Sequence, residues 1–152
     1  ESFIPVVIPG KVVRFSQETG AQYLGSGWSR PEPWLVWSDG NAVELILKVG
    51  DVSRSAALSA VLALRVYFGP SGSAQTISVT VDGAVLDRWT FTKDTQRNDD
   101  HEGRIVLSPK VLRRGDVRVG LQIATPRNPE AEGKSAETRR LGIGIQEIRF
   151  LD

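Results

Sequence analysis

Three tryptophans lie in one short polar segment, and these residue types are the ones in the chain best suited to ligand chemistry. The segment from Gly25 to Gly40 holds three of the four tryptophans, together with Ser, Pro, Gly, one Glu and one Asp. An indole face stacks on the apolar C–H face of a sugar ring, while hydroxyl and carboxylate groups accept hydrogen bonds from sugar hydroxyls. The segment therefore predicts a carbohydrate-binding surface.

Two indoles and four polar side chains are the candidate contacts. Pro31 and Pro33 favour extended backbone on either side of Glu32, which predicts a Pro-Glu-Pro turn with Glu32 at its apex. We expect Trp28 and Trp34, which flank that turn, to stack on the sugar. The full set of predicted carbohydrate-binding residues is Trp28, Ser29, Glu32, Trp34, Ser38 and Asp39.

The third indole of the segment is expected to be structural. Trp34 and Trp37 are three residues apart, so on an extended strand they point to opposite faces. Trp37 shares its parity with Leu35, which predicts that Trp37 is buried in the core. An alternative stays open, in which the indoles only fill the end of the core and bind no ligand.

Catalysis is not expected. Glu32 and Asp39 would be the acid pair of a glycoside hydrolase, whose two carboxyl groups flank the scissile bond. However, Asp39-Gly40 is also an ordinary hairpin turn, and Glu32 can accept backbone N–H bonds within its own loop. No serine lies in a nucleophile elbow, and His101 is the single histidine. We therefore assign no catalytic residue.

No metal or cofactor is predicted either. His101 follows two aspartates, but neither the alternating acids of an EF-hand nor further zinc ligands accompany it. A solvated turn is the interpretation that fits best, and a structural calcium ion is the alternative. The chain has no cysteine, which excludes a zinc–thiolate site, a thiolate nucleophile and a disulfide.

The charge balance argues against two classes of partner. Nineteen basic and eighteen acidic side chains give a net charge of +1, and the arginines are scattered over loops. Neither a nucleic acid nor direct membrane insertion is expected, because there is no basic stripe and no long apolar run. If the fold brings Arg139 or Arg140 near Glu32 or Asp39, either an ion pair that locks the tryptophan loop or a contact to an anionic sugar would result.

The elements that must position these residues read as strands. Alternating and β-branched runs recur between turn signals, which predicts an all-β, two-sheet antiparallel sandwich of jelly-roll type. The candidate strands are Phe3–Ile8, Lys11–Ser16, Trp34–Ser38, Ala42–Lys48, Val61–Phe68, Thr76–Val81, Val85–Phe91, Arg104–Leu107, Val117–Ile123 and Leu141–Phe150. We expect one domain over residues 1–152, cut from a longer protein because the chain begins at Glu1 and contains no Met.

Three local patterns give sharper predictions. Asp82-Gly83 predicts a type I′ hairpin turn, and Ser108-Pro109 followed by Gly115 predicts one capped helical turn. In the last strand, clean alternation predicts a bulge near Gln146-Glu147, with Gly142 and Gly144 on the outer face so that a loop can approach. This strand is expected to pair with one near the amino terminus, and Val61–Phe68 is expected to be a central strand.

Two motifs also carry a family resemblance. The run Tyr23 to Leu45, with its Gly-Trp-Ser, Glu and Trp-Ser-Asp-Gly elements, and the run Arg140 to Phe150 resemble β-sandwich domains appended to bacterial glycosyltransferases and related surface-polysaccharide enzymes. The resemblance implies a jelly-roll, carbohydrate-binding-module-like accessory domain. The motif positions carried over are Gly27, Trp28, Ser29, Glu32, Trp37, Ser38 and Gly40.

The expected function is that of a non-catalytic carbohydrate-binding or carbohydrate-associated module. Its expected partners are a glycan or polysaccharide and the catalytic domain of the same polypeptide. The compartment is undetermined, since the resemblance allows either the cytoplasmic face or the periplasm of a bacterium. The alternatives are a structural domain that docks on a neighbouring enzyme domain without binding glycan and, less favoured, a glycoside hydrolase.

Overall fold

The computed structural model is a β-sandwich of two facing sheets. It describes residues 6–49, 56–69, 72–93, 100–127 and 139–151. The strands in these residues are β1 (Val6–Val7), β2 (Val12–Arg14), β3 (Val36–Trp37), β4 (Ala42–Val49), β5 (Leu58–Val66), β6 (Ala74–Val81), β7 (Ala84–Thr92), β8 (Asp100–Leu107), β9 (Asp116–Ile123) and β10 (Ile143–Leu151). Each overlaps one predicted strand, and residues 3–5 of the first prediction lie outside the described residues.

The chain crosses repeatedly between the two sheets. One sheet has the order β1-β4-β9-β6-β7, the other has the order β2-β10-β5-β8, and β3 also pairs with β10. The connections from β4 to β5, β5 to β6, β7 to β8, β8 to β9 and β9 to β10 all change sheet, which gives the predicted jelly-roll-like topology. The pairing is antiparallel except at one edge, where Val6–Val7 pairs parallel with β4.

Alternate residues of each strand fill the space between the sheets. The inward positions of β5 and β9 include Leu62, Leu64, Val119 and Leu121, all of which are buried. Full burial of such a side chain contributes about 1.5–3 kcal/mol, so the alternation itself drives the sheets together. β5 lies between β10 and β8, which confirms it as a central strand.

The turns predicted from local chemistry form as expected. Asp82 and Gly83 join β6 to β7 with φ values of 48° and 90°, the positive values that a type I′ turn requires. The Oγ atom of Ser108 accepts a bond of 3.3 Å from the amide of Val111 and caps α1 (Pro109–Leu112). In both elements the signal in the sequence is local, which is why the sequence predicts them.

The last strand organises the second sheet. Its register against β5 shifts between Ile145 and Glu147, which confirms the predicted bulge. On the amino-terminal side of that shift β10 pairs with β3, and on the other side it pairs with β2, which confirms the predicted pairing with a strand near the amino terminus. β10 therefore connects the tryptophan segment to the rest of the sandwich.

The prediction of a solvated turn around His101 is wrong for the described residues. Asp100–Leu107 forms β8, and His101 lies on its inward side, in line with Gly103 and Ile105. The His101 ring packs against the rings of Phe68 and Phe91, with centroid distances of 5.8 Å and 5.1 Å. Inward alternation thus extends further along this strand than its polar composition suggests.

Candidate functional site

The tryptophan segment is fastened along the first sheet at its start. The amide of Gly25 donates to the Glu44 carbonyl at 2.8 Å, and the Glu44 amide donates to the Ser26 carbonyl at 3.0 Å. Gly27 has φ +91°, and a Cβ atom there would overlap the carbonyl oxygen of Ala42. Glycine is required at this position both for its backbone conformation and for the close approach to β4.

Trp28 anchors the segment from within. Its side chain is half-buried and packs against the hydrophobic core. Its indole Nε1 donates to the carbonyl of Glu44 at 2.8 Å, so the polar edge of the ring already has a partner inside the protein. Trp28 therefore links the segment to β4 and to the core.

Trp34 has the opposite environment. The Glu32 amide donates to the Leu35 carbonyl at 2.9 Å, which closes a tight turn with Pro33 and Trp34 at its centre. The side chain of Trp34 is 70% exposed. The apex is thus Pro33-Trp34, and the prediction of Glu32 at the apex is wrong because the turn forms one position later, with Pro33 in the place that proline favours.

The prediction that Trp37 is buried in the core is also wrong. In the two-residue strand β3 it is Val36 that enters the core, with no exposed surface. Trp37 is half-buried and pairs with Gly144, whose Cβ position lies 3.2 Å from the indole. Gly144 therefore lies on the outer face, as predicted, and its missing side chain makes room for the indole. The same prediction is wrong for Gly142, where a Cβ atom would meet the core residue Ile123.

An arginine from the far end of the chain holds the turn that carries Trp34. The Nη1 atom of Arg139 donates to Ser29 Oγ at 2.7 Å and to Glu32 Oε2 at 3.1 Å. The side chains of Arg139 and Glu32 are 25% and 40% exposed, so the pair is partly shielded from water. Of the two alternatives for these residues, the fold forms the internal ion pair.

Ser38 and Asp39 join the segment to the chain just before β10. The Oγ of Ser38 accepts bonds from the amides of Gly142 at 3.2 Å and Ile143 at 3.0 Å, and Ser38 is completely buried. Asp39 Oδ1 accepts a bond of 3.0 Å from the amide of Arg140. Ser38 thus offers no surface to a ligand, and one oxygen of Asp39 is already engaged.

Within the segment, the predicted polar residues lie together, but their hydrogen bonds point largely into the protein. Sequence reasoning did not assign Arg139 a definite partner, because its contact with Glu32 spans 107 positions. The adjacent Arg139-Arg140 pair was the only signal for it. Among the described residues no group of three or more His, Cys, Asp or Glu side chains is placed to hold a metal ion.

No protein-family model matches the chain. No curated protein sequence matches it either.

No helix in the described residues is long and apolar enough to cross a membrane.

Solved structures share the fold. The chain is similar to the C-terminal CBM6 of LamC, a marine laminarinase from Zobellia galactanivorans, with TM-score 0.52 and 12% identity over 93% of this chain and 100% of that one. It is also similar to part of a family 43 arabinoxylan arabinofuranohydrolase from Bacillus subtilis, solved with cellotetraose, with TM-score 0.50 and 14% identity over 98% of this chain and 28% of that one.

Some of the matched proteins are much longer than this chain. A family GH115 4-O-methyl-α-glucuronidase with specificity for decorated arabinogalactans matches with TM-score 0.49 and 11% identity. The match covers 83% of this chain and 15% of that enzyme. The similarity to the two structures with TM-scores of 0.52 and 0.50, at 12% and 14% identity, establishes the β-sandwich fold alone.

Proposed function

We propose that the chain is a non-catalytic carbohydrate-binding module that presents Trp34 to a glycan. The observation that carries this proposal is the exposure of Trp34, 70%, at the centre of a turn closed by a 2.9 Å backbone bond. An exposed indole costs hydrophobic free energy in the free protein, and stacking on a sugar ring recovers it.

The surroundings of Trp34 favour a rigid platform. Pro33 fixes the backbone just before it, and Arg139 holds both Ser29 and Glu32 at the base of the turn. A platform that is ordered before binding loses little conformational entropy when the ligand arrives. Glu32 keeps 40% of its side chain exposed, so a free lone pair can still accept a bond from a sugar hydroxyl.

The proposed contact set is smaller than the sequence predicts. Trp34 stacks, and Glu32 and Asp39 supply acceptors from their exposed oxygens. Trp28 and Ser38 support the segment from inside. Their indole N–H and hydroxyl groups are bonded within the protein, so neither group is left to bond to a sugar hydroxyl.

The absence of catalysis is part of the same proposal. An acid–base pair is aimed at the scissile bond from both sides. Glu32 is bonded to Arg139 and Asp39 to the Arg140 amide, so both carboxylates already hold the loop in place.

The proposal also includes the parent protein. We infer that the domain is attached to a bacterial glycosyltransferase or polysaccharide-synthesis enzyme, and the motif resemblance supports this attachment.

A second function competes for the same residue. Because the polar groups beside Trp34 are largely used internally, the exposed indole also fits a hydrophobic anchor that docks the domain onto a neighbouring enzyme domain. In that case Trp34 would bury its face against protein, and no glycan would compete.

Affinity electrophoresis in gels that contain different polysaccharides separates the two functions. Wild type, Trp34→Ala and the control Val85→Ala, which truncates another highly exposed side chain on β7, are compared. The proposal expects at least one polysaccharide to retard wild type and Val85→Ala but not Trp34→Ala. If no neutral or acidic polysaccharide retards the wild type, the docking function replaces it.

A further inference from the structure

A second surface lies on the open edge of the second sheet. Among the described residues, β2 is the last strand on its side of that sheet and pairs only with β10. A groove of about 420 Å³ runs beside it, and its lining residues are Lys11, Val12, Val13, Arg14, Thr19, Gly20 and Tyr23.

The hydrogen-bond pattern shows which backbone groups of β2 face this groove. The amide of Phe15 donates to the carbonyl of Gln146 at 3.0 Å, and the amide of Phe150 donates to the carbonyl of Lys11 at 2.9 Å. The backbone groups of the odd-numbered residues of β2 therefore face β10. Val12 and Arg14 therefore turn their amides away from β10. Thr19 already donates to the Arg14 carbonyl at 2.8 Å, but within the described residues no bond uses the amide or carbonyl of Val12.

One buried side chain in the groove lacks a partner. Tyr23 is 3% exposed, and within the described residues its hydroxyl makes no hydrogen bond. Its ring is fixed by the core and by an edge-to-face contact with Phe15 at 6.5 Å. A buried hydroxyl without a partner costs free energy, so a ligand that bonds to it gains the difference.

We propose that this groove binds an extended, acidic peptide segment that adds a strand beside β2. The added strand pairs its backbone with the free groups of Val12 and with the Arg14 amide. Val12 is 45% exposed and accepts an aliphatic neighbour on the outer face. The Nε atom of Arg14 lies 3.5 Å from Glu147 Oε1, but 77% of the Arg14 side chain is exposed, so its remaining N–H groups can also donate to a carboxylate of the peptide. Lys11 lines the same groove and adds a second positive charge to it.

Strand alternation then defines the sequence of the partner. The residue opposite Val13 points inward, toward Tyr23, and a serine or threonine there would supply the missing hydrogen bond. In antiparallel pairing the core motif is an acidic residue, then Ser or Thr, then an aliphatic residue. A peptide is favoured over a glycan because free backbone groups lie along the edge and the described lining residues of the groove include no tryptophan.

In the test, the peptide acetyl-Ser-Glu-Thr-Val-Ser-amide is titrated into the full 152-residue chain, and the backbone amide shifts are followed by NMR. Saturable shifts are expected at Val12 and Arg14. Val12→Pro removes the edge N–H without touching the bonds to β10, and it should weaken binding at least about tenfold, whereas the control Val12→Ala retains that N–H. A peptide with Lys in place of Glu should bind at least about tenfold more weakly, because it places like charges beside Arg14.

Tyr23→Phe tests the hydroxyl separately from folding. This variant should be at least as stable as the wild type, because it removes a buried hydroxyl that has no partner, but it should bind the peptide about fivefold more weakly, the value of one ordinary hydrogen bond. Replacing the peptide threonine by valine should remove that difference. The inference is overturned if no shift saturates by 5 mM peptide, if Val12→Pro binds like Val12→Ala, or if a uronic-acid oligosaccharide shifts these amides and the peptide does not.

Discussion

Arg139 Nη1 lies 3.1 Å from Glu32 Oε2 and 2.7 Å from Ser29 Oγ. One guanidinium therefore holds two residues of the stretch that leads into the Trp34 turn. This relationship joins residues that are more than a hundred positions apart in the sequence. It also explains why a turn that carries a highly exposed indole can keep one conformation. The predictions below test first the supports of the turn and then the indole itself.

Arg139→Ala should loosen the turn without unfolding the domain. Because the pair is partly exposed, its loss should lower the free energy of unfolding by only about 1 kcal/mol. Hydrogen exchange at the Glu32 amide, which closes the turn, should become faster. Arg140→Ala is the matched control, since the bond to Asp39 uses the backbone amide of Arg140 and survives the substitution. Equal exchange rates in the two variants would contradict this role of Arg139.

Ser38→Ala should be much more costly. It leaves the amides of Gly142 and Ile143 without the Ser38 hydroxyl that both now use, at a position with no exposed surface. We expect the free energy of unfolding to fall by about 2–4 kcal/mol, measured by urea denaturation. Ser78→Ala, on the outer face of β6, should change it by less than about 0.5 kcal/mol. Similar losses in both variants would argue against the Ser38 linkage.

Gly27→Ala and Gly83→Ala separate backbone strain from lack of space. Both glycines have positive φ, +91° and +90°, but only at Gly27 would a Cβ meet other atoms. Gly83→Ala should therefore cost about 1 kcal/mol, and Gly27→Ala about 3 kcal/mol or more, as measured by thermal and urea unfolding. If the two variants are equally stable, the segment does not approach β4 as closely as described.

The fold follows largely from local patterns in the sequence. Asp82-Gly83 specifies a turn through its own backbone preferences, and the alternation of Ile143, Ile145, Ile148 and Phe150 specifies both an inward face and a register break. In each case the signal lies within a few residues, where period and turn chemistry are sufficient.

The sequence predicts where the candidate site lies, but not which of its side chains are buried or which residues they bond to. Strand parity assigned Trp37 to the core, but only two residues here are in strand conformation, and the space over Gly144 receives the indole instead. The partners of Glu32 and Ser38 come from residues more than a hundred positions away. Pairings of this kind depend on how the sheets are ordered, which spacing alone does not give.

Trp34→Ala should leave the fold intact. The side chain is 70% exposed and its removal breaks no bond of the turn, so the free energy of unfolding should change by less than about 0.5 kcal/mol. Circular dichroism and urea denaturation provide the measurement. A large loss of stability would mean that the indole packs against the domain, contrary to its position here.

Tryptophan fluorescence during titration with a retarding polysaccharide tests the central claim most directly. Wild type should show a saturable shift of emission to shorter wavelength, because stacking removes water from the Trp34 indole. Trp34→Phe should still be retarded in the gel, since a phenyl ring also stacks, but its tryptophan emission should not change. An unchanged wild-type spectrum, or the same shift in Trp34→Phe, would contradict recognition of the glycan by Trp34.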